Sequence, residues 1–233
     1  MPYLCGVFRA NPSNVATFNL ICMELQQYTP RQELANTLTH GIGILLSIVA
    51  IPVLMAMAVK NNLSTRSMVG LSIYALSLLL VYSTSTLYHA ILSVKLKRIF
   101  KILDHICIYL LIGGSNTAFI PRFVDEKHAT AVLTAQWILI AVGIVFKLYF
   151  TGRYKWFSTF FYIGLAGLVF FVLNELLANV PATAMTLIEL CGAFYVVGCF
   201  FYLNKTIYYQ HAIWHIFVLC GSAAHYAALL ISL

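Results

Sequence analysis

Long stretches of apolar residues, separated by short polar connections, run through most of this 233-residue chain. The hydrocarbon core of a bilayer is about 30 Å thick, so a helix needs about 20 apolar residues to cross it. The pattern therefore predicts an all-α integral membrane protein, folded as a seven-transmembrane helix bundle. Its spans are expected near 37–59, 67–92, 103–120, 130–150, 156–178, 184–204 and 211–232.

Composition agrees with a single membrane domain. Hydrophobic residues make up 61% of the chain and charged residues 9%, whereas a soluble domain carries about 25% charged residues. We expect the membrane domain to cover residues 33–233 and residues 1–32 to form an N-terminal cytoplasmic segment. The apolar run FNLICM in that segment is too short for a signal peptide. Met23 offers an alternative start, which would make the residues before it an extension.

The distribution of basic residues predicts the orientation of the bundle. Of the 14 Lys and Arg residues, ten fall on one side of the membrane and four on the other. The positive-inside rule then places the N-terminus in the cytoplasm and the C-terminus outside. The net charge of +7 is thus mostly a topology signal, and we expect membrane lipids rather than nucleic acid as partners. The richer side holds Arg9, Arg31, Lys95, Lys97, Arg98, Lys101, Lys147, Arg153, Lys155 and Lys205.

Two histidines four residues apart, His211 and His215, open the last span in the stretch QHAIWHIFV. Residues at this spacing lie on one face of a helix, so both rings can point to the same place. Neutral imidazole is the commonest metal ligand. Polar residues within a bilayer are costly, and such a pair therefore indicates a functional site.

The predicted orientation places several other polar residues at the same depth as this pair. The first span begins near His40, the second ends near Ser85 and His89, and the third opens at Asp104. Charge counting does not use the histidines, yet it assigns all of these positions to the cytoplasmic side. We therefore expect one polar layer at that side of the bundle.

The chemistry of these residues suggests a metal site. His89, His211 and His215 could supply three nitrogen ligands and leave a fourth position for water, as in catalytic zinc sites. Asp104 could act as a general base, and Ser85 could hydrogen-bond the water or a substrate oxygen. Imidazole also binds iron and other divalent metals, so the residues alone leave the metal open. The alternative is that the histidines are interfacial hydrogen-bonding groups.

Four stretches of the chain resemble the hemolysin III branch of the progestin and adipoQ receptor family. They are ELANTLTHGIG (33–43), STLYHA (85–90), LDHICIYLLIGGS (103–115) and HAIWHIFVLCGSAAHY (211–226). This family is similar to alkaline ceramidases, which are zinc-dependent membrane hydrolases. The resemblance implies Zn²⁺ as cofactor, with His89, His211 and His215 as its ligands. It also implies that Asp104 and Ser85 contact a water on the zinc.

The third span departs from the usual pattern of bacterial members, which resembles AGTYTPF. This chain reads GGSNTAF over 113–119, so that Asn116 replaces an aromatic residue and Ala118 a proline. Neither position is a proposed ligand. The expected effect is on how the span bends and on the shape of a substrate cavity.

Three functions are compatible with these features. The leading hypothesis is a zinc-dependent hydrolase, similar to a ceramidase, that cleaves an amide or ester bond of a membrane lipid in the bacterial plasma membrane. The alternative is a non-enzymatic receptor-like or lipid-homeostasis protein with a structural zinc. Pore formation ranks last, because seven apolar helices with few intramembrane charges offer no obvious aqueous lining.

Overall fold

A computed structural model describes residues 28–233, which are helical apart from short connections and contain no strand. One 3₁₀ turn, Leu168–Val172, interrupts the fifth span. The helices are α1 (Pro30–Lys60), α2 (Thr65–Ala90), α3 (Val94–Phe123), α4 (Glu126–Phe150), α5 (Lys155–Gly167), α6 (Leu173–Asn179), α7 (Ala182–Leu203) and α8 (Gln210–Ile231).

The prediction of seven membrane spans is confirmed. Seven helical segments in residues 28–233 are long and apolar enough to cross a bilayer, the fifth being Lys155–Asn179 with its 3₁₀ turn. The expected third span, 103–120, was too short, since α3 already begins at Val94. The basic stretch KLKRIFK (95–101) is part of this helix, because Lys, Leu and Arg are good helix formers. The predicted segment 1–32 lies almost wholly outside the described residues.

The start of α1 is fixed by its own sequence. Thr29 and Gln32 form a capping box, in which each side chain bonds the backbone N–H of the other. Pro30 occupies the first turn, where its missing N–H costs nothing. This cap sets the depth at which the polar residues of α1 enter the bundle.

Helices α2, α3 and α8 are the most buried spans, whereas α1, α5 and α7 turn most of their apolar side chains outward. Helix α2 packs between α1 and α3, and α8 packs between α7 and α1. Close approach of α2 and α3 depends on small residues, as is usual in membrane bundles. A Cβ on Gly70 would lie 2.6 Å from the Thr117 carbonyl oxygen, and one on Gly114 would lie 2.5 Å from Ser77 Oγ.

The polar residues collect at one end of the bundle, where α1, α3 and α8 begin and α2 ends. We call this the histidine end. Because these four helices are neighbours, side chains far apart in sequence meet there.

Candidate metal centre

Three buried histidines meet at the histidine end. His89 lies in the last turn of α2, and His211 and His215 lie in the first two turns of α8. One ring nitrogen from each lies within 4.8 Å of the other two. The Nε2 atoms of His89 and His211 are 3.2 Å apart. Three nitrogen atoms pointing to one place can hold a metal ion.

The carboxylate of Glu33, in the first turn of α1, orients His89. Its Oε2 accepts a hydrogen bond from His89 Nδ1 at 2.6 Å. Its Oε1 lies 2.8 Å from Lys97 Nζ, which also donates to the Tyr88 carbonyl at 2.9 Å. Since Nδ1 carries the proton, Nε2 of His89 is left with its lone pair toward the other histidines. Glu33 was not among the predicted site residues, although a carboxylate at the start of a membrane span is itself a functional signal.

Backbone and side-chain groups of α1 orient His215. Its Nδ1 lies 3.1 Å from the Asn36 carbonyl oxygen and 3.0 Å from Thr39 Oγ1. A carbonyl can only accept, so Nδ1 donates and Nε2 remains available as a ligand. Asn36 is 1% exposed, and its Nδ2 lies 3.4 Å from His89 Nδ1. Helix α1 therefore supports two of the three histidines, a contribution that sequence analysis also missed.

A fourth histidine, His40, lies beside the three without belonging to their group. Its ring stacks on that of His215, with centroids 3.6 Å apart and planes 16° apart, and it meets Tyr82 edge-on at 5.2 Å. Neither ring nitrogen of His40 has a hydrogen-bond partner within residues 28–233. His225, by contrast, packs against Tyr74, 5.1 Å away between ring centroids, and takes no part in the group.

Asp104 and Ser85 lie at the same end but outside the group of three. Asp104, on α3, places its Oδ2 3.6 Å from Nδ1 of His105. Ser85 is 0% exposed and lies close to the Asp104 carboxylate. Ser85 Oγ forms no hydrogen bond within residues 28–233, either with Asp104 or with another group. A buried hydroxyl without a partner indicates space for a water or a substrate oxygen.

Tyr28 covers the histidines at the start of α1. Its ring stacks on His211 at 5.1 Å with an interplanar angle of 26°, and it meets the ring of His89 at 5.8 Å. Burial raises the pKa of its phenol above the ordinary value, so the ring remains neutral. Thr29 and Tyr208 place their hydroxyl oxygens 3.0 Å apart, which ties this segment to the connection before α8. The histidines are thereby shielded on this side.

The chain is similar to known proteins over most of its length. A family model described as Haemolysin-III related matches residues 28–226. The hemolysin-3 homolog of Bacillus subtilis (strain 168) is 40% identical over 203 residues, which cover 87% of this chain and 95% of that protein. Hemolysin-3 of Bacillus cereus is 38% identical over 193 residues, 83% of this chain and 88% of that protein.

A more distant similarity extends to animals. The monocyte to macrophage differentiation factor of Homo sapiens is 24% identical over 206 residues, which cover 84% of this chain and 82% of that protein. No solved structure shows a significant match. The family match covers all the residues of the histidine end from Tyr28 to His215 and confirms the resemblance found in the sequence. The chain belongs to the haemolysin-III related family, as an integral protein of the bacterial plasma membrane.

Proposed function

We propose that the protein is a zinc-dependent hydrolase that cleaves an amide or ester bond of a membrane lipid. The observation that carries this proposal is the set of three convergent histidine nitrogens at the end of the bundle that also holds Asp104. Three nitrogen ligands with one open position are typical of catalytic zinc, whereas structural zinc sites have four protein ligands.

The geometry suits zinc. Two ligands of a tetrahedral zinc at 2.0–2.1 Å lie about 3.3 Å from each other, close to the 3.2 Å between Nε2 of His89 and Nε2 of His211. Nδ1 of His89 and Nδ1 of His215 both donate to oxygen atoms, so both rings present the unprotonated nitrogen that a metal requires. When bound, zinc would polarise a carbonyl group and make water a better nucleophile at neutral pH.

The remaining chemistry falls to Asp104 and Ser85. A carboxylate outside the ligand set is suited to accept the proton of an attacking water at one of its oxygens. The Ser85 hydroxyl, buried and without a partner within residues 28–233, can hold that water or the substrate carbonyl in place. Tyr28 lies over His89 and His211 and limits the entry of bulk water from its side.

An apolar groove supports lateral entry of a lipid chain. The groove measures about 350 Å³ and lies between α1, α2 and α8, with Gly43, Leu46, Tyr82 and Ser222 in its walls. Tyr82 separates it from the polar end, since its ring touches His40. A lipid whose acyl chain lies in this groove would have its amide or ester bond near the histidines.

The test is release of fatty acid by the purified, zinc-loaded protein from ceramide, other N-acyl lipids and phospholipids. We expect Asp104→Asn to lower the rate by about 10²–10⁴-fold, the usual contribution of a general base, and to leave the zinc content unchanged. Asp125→Asn is the matched control, because Asp125 is exposed and Asn caps a helix as well as Asp does. No release from any of these lipids by a protein that retains zinc would refute the proposal.

A second function, in which zinc is structural and the protein acts as a receptor or regulator, is favoured by one observation. The ring of His40 stacks on His215, and both of its nitrogens lack partners within residues 28–233. A rotation of this ring could supply a fourth ligand and close the site. Loss of zinc from His40→Ala would support this function over hydrolysis.

A further inference from the structure

Lys147, near the end of α4, is buried in an unusual environment. In the charge count it was placed with the basic residues at the membrane surface, but Lys147 is only 2% exposed. Its Nζ donates to Ser158 Oγ at 2.7 Å and lies 5.4 Å from the centroid of the Tyr162 ring. Within residues 28–233 it forms no ion pair with a carboxylate. A buried ammonium that makes no direct ion pair is costly, so its retention calls for an explanation.

Two further lysines lie around the same position. Lys101 of α3 is 5% exposed, and Lys155 is the first residue of α5. His105 of α3 connects this region: its Nδ1 lies 2.7 Å from the Lys101 carbonyl oxygen, and its own carbonyl accepts a hydrogen bond from Tyr162, whose ring lies beside the Lys147 ammonium. Lys101 and Lys155 also interact with other groups. Asp104 Oδ2 lies 3.6 Å from His105 Nδ1. Lysines from α3, α4 and α5 thus lie at the same end of the bundle as Asp104.

We propose that Lys147, with Ser158, Lys101 and Lys155, binds the phosphate of an anionic phospholipid at the histidine end. An ammonium group has three donors, and one of those on Lys147 already bonds Ser158, which leaves two for phosphate oxygens. Basic pockets between transmembrane helices are a known way to bind lipid head groups. The oxygens of a phosphate point in several directions, whereas those of a carboxylate lie in one plane, which suits lysines that come from α3, α4 and α5.

The consequence for catalysis rests on the proposed function. Asp104 lies next to His105, which Tyr162 connects to Lys147. A head group held by Lys147 would therefore place the neighbouring ester linkage of the same lipid toward Asp104 and the histidines. The binding itself requires no hydrolysis and can be measured separately.

The experiment compares two lipids with the same acyl chains, dioleoylphosphatidic acid and dioleoylglycerol, added to the purified zinc-loaded protein in neutral detergent. Affinity is measured from the rise in unfolding temperature and from bound lipid in native mass spectra. We expect the phosphatidic acid to bind and the diacylglycerol to have no such effect. Lys147→Met should weaken phosphatidic acid binding about 5-fold or more, whereas Lys95→Met, at an exposed lysine of α3, should not.

One control measurement and one further variant guard against misfolding. Without lipid, Lys147→Met should unfold in a single cooperative transition, as the wild type does, which shows that the variant is folded. If Lys147→Met fails to fold, Ser158→Ala keeps the charge, removes the one hydroxyl that positions the ammonium, and should still weaken binding.

Equal binding of the two lipids, or unchanged phosphatidic acid affinity in both Lys147→Met and Ser158→Ala, would overturn the proposal. Inorganic phosphate and oleate serve as further probes. Stabilisation by inorganic phosphate as strong as by the lipid would assign the site to the free ion, and equal stabilisation by oleate would assign it to carboxylates. Lipid binding that depends on Lys147 in a protein without hydrolase activity would leave this inference intact and refute only the proposed function.

Discussion

Glu33 and His89 join α1 to α2 by a 2.6 Å hydrogen bond at the point where the three histidines meet. The same carboxylate is held from its other oxygen by Lys97, so neither partner is free to rotate. A carboxylate that holds a ligand histidine in this way fixes its tautomer and raises its basicity. The ligand geometry on α2 thus depends on a residue of α1.

We predict that Glu33→Gln lowers zinc affinity about 10–100-fold, the usual effect of removing such a partner. The amide keeps the shape of the side chain but loses the charge that favours a proton on Nδ1. The measurement is competition between the protein and a chromogenic zinc chelator. Glu189→Gln, at an exposed position of α7, should bind zinc as the wild type does. Wild-type affinity in Glu33→Gln would show that His89 is oriented by other groups.

The ligand set predicts different results for the histidines. Elemental analysis should find about one zinc per chain in the wild type and in His225→Ala, and little in His211→Ala or His215→Ala, because only the latter two lie in the group of three. His40→Ala should retain its zinc if three histidines suffice. A wild-type protein that is well folded but contains no metal would refute the proposed metal centre.

Removal of the metal should lower stability. A ligand that binds only the folded state at 100 times its dissociation constant stabilises that state by about 2.7 kcal/mol. We therefore expect a strong chelator to lower the unfolding temperature of the wild type. His211→Ala, which lacks a ligand, should show no further decrease. An equal decrease in both proteins would mean that the chelator acts elsewhere.

Packing between α2 and α3 gives a prediction independent of the metal. Gly70→Ala places a Cβ 2.6 Å from the Thr117 carbonyl oxygen and 3.2 Å from the Cα of Ala118, both backbone atoms that cannot turn away. The helices must separate, at a cost of about 1–3 kcal/mol. Thermal unfolding in detergent measures this loss. Gly41→Ala is the control, since its Cβ would meet nothing within 4 Å, and it should be neutral or slightly stabilising.

Some parts of the site could be predicted because they depend on local rules. Hydropathy gave the seven spans, and the spacing of His211 and His215 put both on one face of α8. The position of His89 at the same end of the bundle followed from the order of the spans and the charge bias. Neither prediction requires knowledge of which helices touch.

Other parts depend on packing between helices, which neither spacing nor hydropathy contains. Glu33 and Asn36 support the histidines only because α1 packs against both α2 and α8. For Lys147 the prediction from sequence was wrong. A lysine near the end of a span is counted as a surface charge, yet the neighbouring α5 places Ser158 against its ammonium and encloses it.

The histidines also impose an order on the making of the protein. His89 precedes His211 by 122 residues, which a ribosome adds in roughly 6–24 seconds at 5–20 residues per second. During that interval the first two helices can already pair through Glu33, while the two histidines of α8 have not yet been made. The metal would therefore bind last, only after the chain has been translated and inserted through its last helix.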